Sequence, residues 1–368
     1  MPDRNKVSRC VLSVTLFMFL MALAVSVTPV ADLDGIAHQS TTSVSDTKRG
    51  GIFAAGTPHG PIAIDGDANF SDTALLEGWP GDGSPEDPFI IDGLEIDLGG
   101  GEGDCISISN TQVSFTISNC NLTGGWGGWG MGYWGAGVYL NNVTNCELVK
   151  NSCTSNIWGI FLRESDTNTV ANNICNNNER AGILLSISNY STMVYNTCND
   201  NQDGIILSLC SESNTVANNI CNSNNITGIY LFYSDGNTVV NNLCFSNNDY
   251  GIYLFDSLSN TVVNNICNSN DIGIYLDFSE SNTVSENTCS NNRIGIYLFQ
   301  SDSNIVDNTC LNNREHAILE EYITTTESGP FDPVVSHPVE FLLLVGVVGI
   351  IMLGAGWRMV KLSRAGIS

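Results

Sequence analysis

From residue 137 to residue 316 the chain repeats itself with a period of 22 to 24 residues. The stretch Gly251–Asp271, GIYLFDSLSNTVVNNICNSND, is a clear copy. Glycines open a GI-x-L element at Gly137, Gly159, Gly182, Gly204, Gly228, Gly251, Gly273 and Gly295, at intervals of 22, 23, 22, 24, 23, 22 and 22 residues. An N-x-C element keeps step, from Asn151/Cys153 to Asn308/Cys310. A fixed period of this length predicts a solenoid, in which each repeat buries its apolar face only against its neighbours.

Each period holds three short strand-like pieces, GIYL, N-T-V and N-x-C, bounded by the turn residues Asn, Ser, Asp and Gly. None leaves room for a helix of ordinary length. Alternation in GIYL puts Ile252 and Leu254 on one face and Tyr253 on the other. One coil per repeat closes naturally as an all-β parallel β-helix, with equivalent residues stacked about 4.8 Å apart. The predicted inward ladders are Ile252/Ile274/Ile296, Leu254/Leu276/Leu298, Val262/Val284 and Cys175, Cys198, Cys221, Cys244, Cys267 and Cys289. Asn173, Asn196, Asn219, Asn242, Asn265 and Asn287 fall at a bend, where stacked amides bond along the axis. A leucine-rich-repeat horseshoe shares the I-x-L-x-x-S-x-x-N spacing. It needs a convex helical segment, whereas two further strand-like pieces follow each GIYL here.

GIYL, S-x-x-N-T-V and N-N-x-C together resemble the right-handed parallel β-helix repeat of NosD-type, pectin-lyase-like proteins, and Gly81–Ile96 resembles their lead-in segment. Those repeats carry Ile or Val two residues after the bend Asn, where this chain carries Cys. The resemblance covers about residues 61–322 and speaks to fold, since such repeats encode a scaffold. NosD is linked with copper-site maturation, so the resemblance implies copper. Pectin-lyase-like folds also host polysaccharide lyases and glycoside hydrolases.

The residues offer little to either chemistry. His38, His59, His316 and His337 are scattered without metal-ligand spacing, so no metal site is read and no cofactor is identified. Only Lys150, Arg163, Arg180, Arg293 and Arg314 are basic between residues 61 and 322, and none recurs in one register. No paired-carboxylate signature identifies catalytic residues. Asp235, Asp256, Asp277 and Asp302 follow GIYL and form either an acidic strip or solvated turns. The formal charge of −25 argues against nucleic acid, which needs a basic face, and suits Ca²⁺, high salt or simple solubility. Thirteen cysteines in an exported chain first suggest disulfides. Eight of them share one register, however, and read as buried thiols, with intercoil bridges as the alternative.

Residues 1–31 read as a signal peptide or N-terminal anchor: Arg4, Lys6 and Arg9 precede an apolar run from Cys10 to Val27. Residues 32–60 read as a linker, 61–322 as the β-helix domain, with 61–104 its N-terminal cap and first coil, and 323–338 as a second linker. Residues 339–360 read as a transmembrane helix, followed by a basic cytoplasmic tail, 361–368. This predicts a single C-terminal membrane span with the β-helix on the extracytoplasmic side.

Residues 124–137, GGWGGWGMGYWGAG, break the repeat. Trp126, Trp129, Tyr133 and Trp134 lie there among glycines, and long loops on rigid scaffolds often carry function. Together with the outward strip Tyr230, Tyr253, Tyr275 and Tyr297 they are the candidate ligand-binding residues, because sugars stack on aromatic faces. The expected function is a surface-tethered, non-enzymatic module for glycans or envelope components. A polysaccharide lyase or hydrolase is the alternative, and a copper-related envelope protein comes third.

Overall fold

The structure, a computed structural model, describes residues 56–127 and 134–322. These form a parallel β-helix of three sheets. The long sheet has eleven strands, from Ile62–Asp65 through Ile106–Thr111 and Ala136–Val143 to His316–Glu321. The second has ten, from Phe89–Asp92 to Asn304–Val306, and carries the N-T-V pieces. The third begins with Thr57–Pro58, Leu94–Asp97, Asn121–Thr123 and Ser152–Thr154. It then thins to single bridges running from Ser152 through Ile174, Thr197, Ile220, Leu243, Ile266 and Thr288 to Thr309. Every strand pair within the sheets is parallel and in coil register, as in Ile229↔Ile252↔Ile274↔Ile296.

The interior is the set of ladders that alternation demands. Ile252, Leu254, Val262 and Cys267 are fully buried, as are their equivalents one coil away. Cys153 through Cys289 are buried free thiols in one file, and Cys310 ends it half-buried. Burial in this apolar file pushes the thiols of Cys198 and Cys267 well up. The opening glycines are a steric requirement. A Cβ on Gly251 would stand 2.5 Å from the Gly273 carbonyl oxygen and 2.9 Å from Cys267 Cβ.

The bends are held by amides. Asn265 Oδ1 accepts from both the backbone N (2.9 Å) and Nδ2 (3.0 Å) of Asn242, while Asn265 Nδ2 donates to the Val239 carbonyl (2.9 Å). The ladder therefore satisfies its buried polar atoms coil by coil. A second ladder lies five residues on, at Asn178, Asn201, Asn224, Asn247, Asn270 and Asn292, again with Oδ1 accepting the backbone N–H of the preceding coil. A file of buried serines, Ser188 to Ser301, does the same at a third bend.

Two features depart from the expected boundaries. Thr57 and Pro58, inside the segment read as linker, pair with Leu94 and Glu95. The first coil is closed by a helix, α1 (Asp67–Glu77), which an all-β reading omits. It inserts Phe70 and Ala74 over the coil, with Phe70 stacked 5.4 Å from Phe89 and tilted against Phe115 at 4.9 Å. Among the described residues no helix is long and apolar enough to cross a membrane. Residues 1–31, most of the 32–60 linker, and residues 323–368, with the span read at 339–360, lie outside the described residues.

Candidate functional site

The outer face of the long sheet carries one column from end to end: Ala63, Ser107, Tyr139, Phe161, Leu184, Ile206, Tyr230, Tyr253, Tyr275, Tyr297 and Leu319. The coil register thus places Tyr139 and Phe161, on which Trp134 packs, in one column with the tyrosine strip.

At the early end, Trp134 packs edge-on against Phe161 at 5.3 Å and tilts against Tyr139 at 6.2 Å. Its backbone N donates to Asp104 Oδ1 (3.1 Å), which also accepts from Ala136 N (2.8 Å). Trp134 therefore helps cover the early coils rather than projecting from them. Trp126 differs: the residue is 45% exposed. Its backbone is tied on both sides, Trp126 N to Gly101 O at 3.1 Å and Gly103 N to Trp126 O at 2.8 Å. It lines a cleft of about 400 Å³ with Ser155, Asn177, Glu179 and Asp200. Gly124 and Gly125 form the wall beside it; Gly125 N donates to Asn156 Oδ1 at 2.8 Å, so the wall is fixed to the Asn ladder. An exposed ring on a fixed backbone, beside amides and carboxylates, is a shape that can stack a sugar and bond its hydroxyls. Trp129 and Tyr133 lie outside the described residues.

At the late end the tyrosines stack on one another. Tyr230–Tyr253, Tyr253–Tyr275 and Tyr275–Tyr297 have centroids 4.8, 5.0 and 4.8 Å apart and interplanar angles of 3°, 5° and 10°. Mutual stacking occupies the ring faces, so the strip offers edges and hydroxyls outward, not platforms. Burial holds these phenols well above their ordinary range, so they act as neutral donors. Tyr253 donates its hydroxyl to Asp277 Oδ2 (3.1 Å) and Tyr297 donates to Glu321 Oε2 (2.6 Å). Burial, opposed by contacts with the Tyr253 and Tyr275 hydroxyls, raises Asp277 to about 6. Asp203, on the same face, is also raised to about 6 by burial.

The sequence reading singled out the tyrosines but grouped Asp277 with ordinary turn aspartates. The strand actually extends through it, Ile272–Asp277, and the register sets it between Phe255 and Phe299. The signal was an acid where neighbouring repeats read GIYLF. Of the other expected acids, Asp256 adjoins Asp277, its backbone N donating to the Asp277 carbonyl (2.9 Å), whereas Asp235 accepts Leu258 N and Asp302 accepts the Tyr322 hydroxyl, each at a turn. Among the described residues no group of three or more His, Cys, Asp or Glu is placed to hold a metal ion.

No curated protein matches the chain in sequence. Among solved structures, the A-module of mannuronan C-5 epimerase AlgE4 from Azotobacter vinelandii is similar at a TM-score of 0.51 and 14% identity, over 75% of this chain and 98% of that one. The Dettilon tailspike protein gp208 is similar at 0.53 and 16% identity, over 72% of this chain and 61% of that one. At such identities the likeness is one of fold. The family model "Right handed beta helix region" matches residues 104–266 and 258–326. It is a general model, and the narrower NosD-type likeness with its copper chemistry gains no support from it. With more than half its length matched and its coils stacked in three parallel sheets, the chain belongs to the right-handed β-helix family.

Proposed function

We propose that this protein is a non-enzymatic glycan-binding module, its β-helix held on the extracytoplasmic side by the export signal and C-terminal span read in the sequence. The observation that carries the reading is Trp126: a large aromatic residue, 45% exposed, on a backbone bonded on both sides and beside polar groups in a cleft of about 400 Å³. Exposed aromatics on a fixed backbone mark contact surfaces, because little backbone freedom is lost on binding. Among the described residues the cleft contains Glu179 and Asp200 and no cationic side chain, on a chain of formal charge −25. Like-charge repulsion therefore opposes uronate polymers and leaves uncharged glycans as the cleft's ligand class.

A glycan-array profile of the protein tests this. Uncharged oligosaccharides bind wild type, and Trp126→Ala loses them while keeping its melting temperature. Binding unaltered by Trp126→Ala would contradict the reading. The enzyme alternative draws on one observation, the raised Asp277 beside two phenols. Reducing-end release or unsaturated-product absorbance from a polysaccharide panel would decide in its favour.

A further inference from the structure

The cleft beside Trp126 has a buried side whose polar groups are spent and a rim whose polar groups are not. The buried side is the pair Asn156 and Asn178. Asn156 Oδ1 accepts Gly125 N (2.8 Å) and its Nδ2 donates to the Leu122 carbonyl (3.0 Å). Asn178 Oδ1 accepts Asn156 N (3.1 Å) and its Nδ2 donates to the Cys153 carbonyl (3.1 Å). On the rim, the side chains of Ser155, Asn177, Glu179 and Asp200 have no hydrogen-bond or ionic partner among the described residues. Ser155, Asn177 and Asp200 hold one bend position in successive coils, with left-handed φ of 60°, 55° and 57°. Ser155 and Asp200 therefore stand two coil rises apart, about 10 Å. Ile157, half-buried, supplies an aliphatic side chain to the same cleft.

We propose that this cleft recognises an acetamido sugar, an uncharged glycan residue in which a secondary amide replaces one hydroxyl. The inference rests on the glycan reading above and narrows its ligand class. The free groups divide by role: Glu179 and Asp200 only accept, whereas Ser155 and Asn177 also donate. An amide N–H donates without placing oxygen lone pairs against those carboxylates, and a bond to a charged acceptor is the stronger kind. The amide is planar and trans, so its N–H and C=O point in opposite directions. In a parallel sheet, backbone amides of that shape bridge the strands on either side, two strand spacings apart. Asp200 and Ser155 have that separation, which lets Asp200 take the N–H while Ser155 donates to the C=O. The acetyl methyl group then meets Ile157, and Trp126 takes the face of the sugar ring. An ammonium on a free amino sugar also suits the carboxylates, yet it offers Ser155 no acceptor and Ile157 no methyl. A glucose residue offers hydroxyls but neither the donor-only N–H nor the methyl.

The test is isothermal titration of the full chain with N-acetylglucosamine, glucose and glucosamine oligomers of equal length and linkage, for wild type, Asp200→Asn, Ser155→Gly and Asp307→Asn. Asparagine and glycine both tolerate the left-handed φ at these bends, so the first two variants keep the fold, as their melting temperatures will show. Asp307 is exposed on a late coil, so its variant removes one charge away from the cleft. Wild type binds the N-acetylated oligomer about tenfold more tightly than the glucose oligomer, as one added charge-assisted bond implies. Asp200→Asn and Ser155→Gly each lose most of that preference and keep the glucose affinity, while Asp307→Asn keeps the preference. Equal wild-type affinity for the acetylated and glucose oligomers, or a preference untouched by both cleft variants, would overturn the inference and leave the glycan reading standing. Tightest binding of the free-amine oligomer would overturn it as well, making the cleft a cation site. Failure to bind any of the three would sink the glycan reading itself.

Discussion

Gly251 shows how tightly single residues are specified. Its hypothetical Cβ meets backbone on the next coil at 2.5 Å, and backbone cannot swing aside. Gly251→Ala therefore should lower stability by at least about 3 kcal/mol, at the severe end of single substitutions, as read by urea denaturation. Asn265→Ala should cost a similar amount, about 2–4 kcal/mol, because it strips partners from the Asn242 N–H groups and the Val239 carbonyl at once. Asp203 gives a pH signature of defined sign. It is 9% exposed and raised to about 6 by burial, against about 3.9 when unfolded. Between those values the native state holds a proton that the unfolded chain has lost, so this residue's contribution to stability falls as pH rises from about 4 to 6. Asp203→Asn removes that fall. Measured against wild type, the variant should gain about 1–3 kcal/mol between pH 4 and pH 7; a constant difference would contradict the burial argument. At this scale the sequence was most legible where chemistry repeats. The Cys267 and Asn265 files follow from spacing alone. The Asn270 file was equally periodic, five residues after Asn265, yet went unread because Asn is also the commonest loop residue there.

At the scale of elements, the strands were legible and the ends were not. Helix α1 lacks the apolar periodicity of an amphipathic helix: Phe70 and Ala74 are buried, but Leu75 and Leu76 are 85% and 83% exposed. Its position is set by the open end of the coil stack, which no local pattern encodes. Phe70→Ala should cost about 3–5 kcal/mol, since the ring fills the space between Phe89, Phe115 and Trp79. The other end is guarded differently. The inward leucine ladder ends in a charge, with Leu298 paired to Glu320 on the exposed last strand His316–Glu321. Inward-pointing charge on an edge strand opposes further pairing. Glu320→Leu should promote end-to-end association, seen as a concentration-dependent rise in mass by light scattering; a monodisperse variant would assign the guard elsewhere. The Gly/Trp segment was legible as an exception to the repeat, but its division of labour was not. Trp126 and Trp134 look alike in sequence, and only the packing against Phe161 separates the covering ring from the exposed one.

At the scale of the whole molecule, the β-helix is a rigid ruler whose outer columns repeat at one coil rise. That geometry let the long sheet bring Tyr230, Tyr253, Tyr275 and Tyr297 into line, as alternation predicted. It also turned their faces toward one another, which period alone could not reveal, because stacking depends on side-chain torsions rather than register. The acidic balance is spread over this scaffold, and the cleft beside Trp126 shares it through Glu179 and Asp200. The function proposed at this scale is recognition by an exposed aromatic ring in an anionic surround. Isothermal titration of wild type and Trp126→Ala with an uncharged oligosaccharide, and with a uronate oligomer of the same length, tests that claim most directly. The account predicts saturable binding of the uncharged ligand by wild type, a loss of at least about tenfold in Trp126→Ala, as expected for removing a stacked ring, and no binding of the uronate. Uronate binding as tight as that of the uncharged ligand, or uncharged-ligand affinity unmoved by Trp126→Ala, would contradict it.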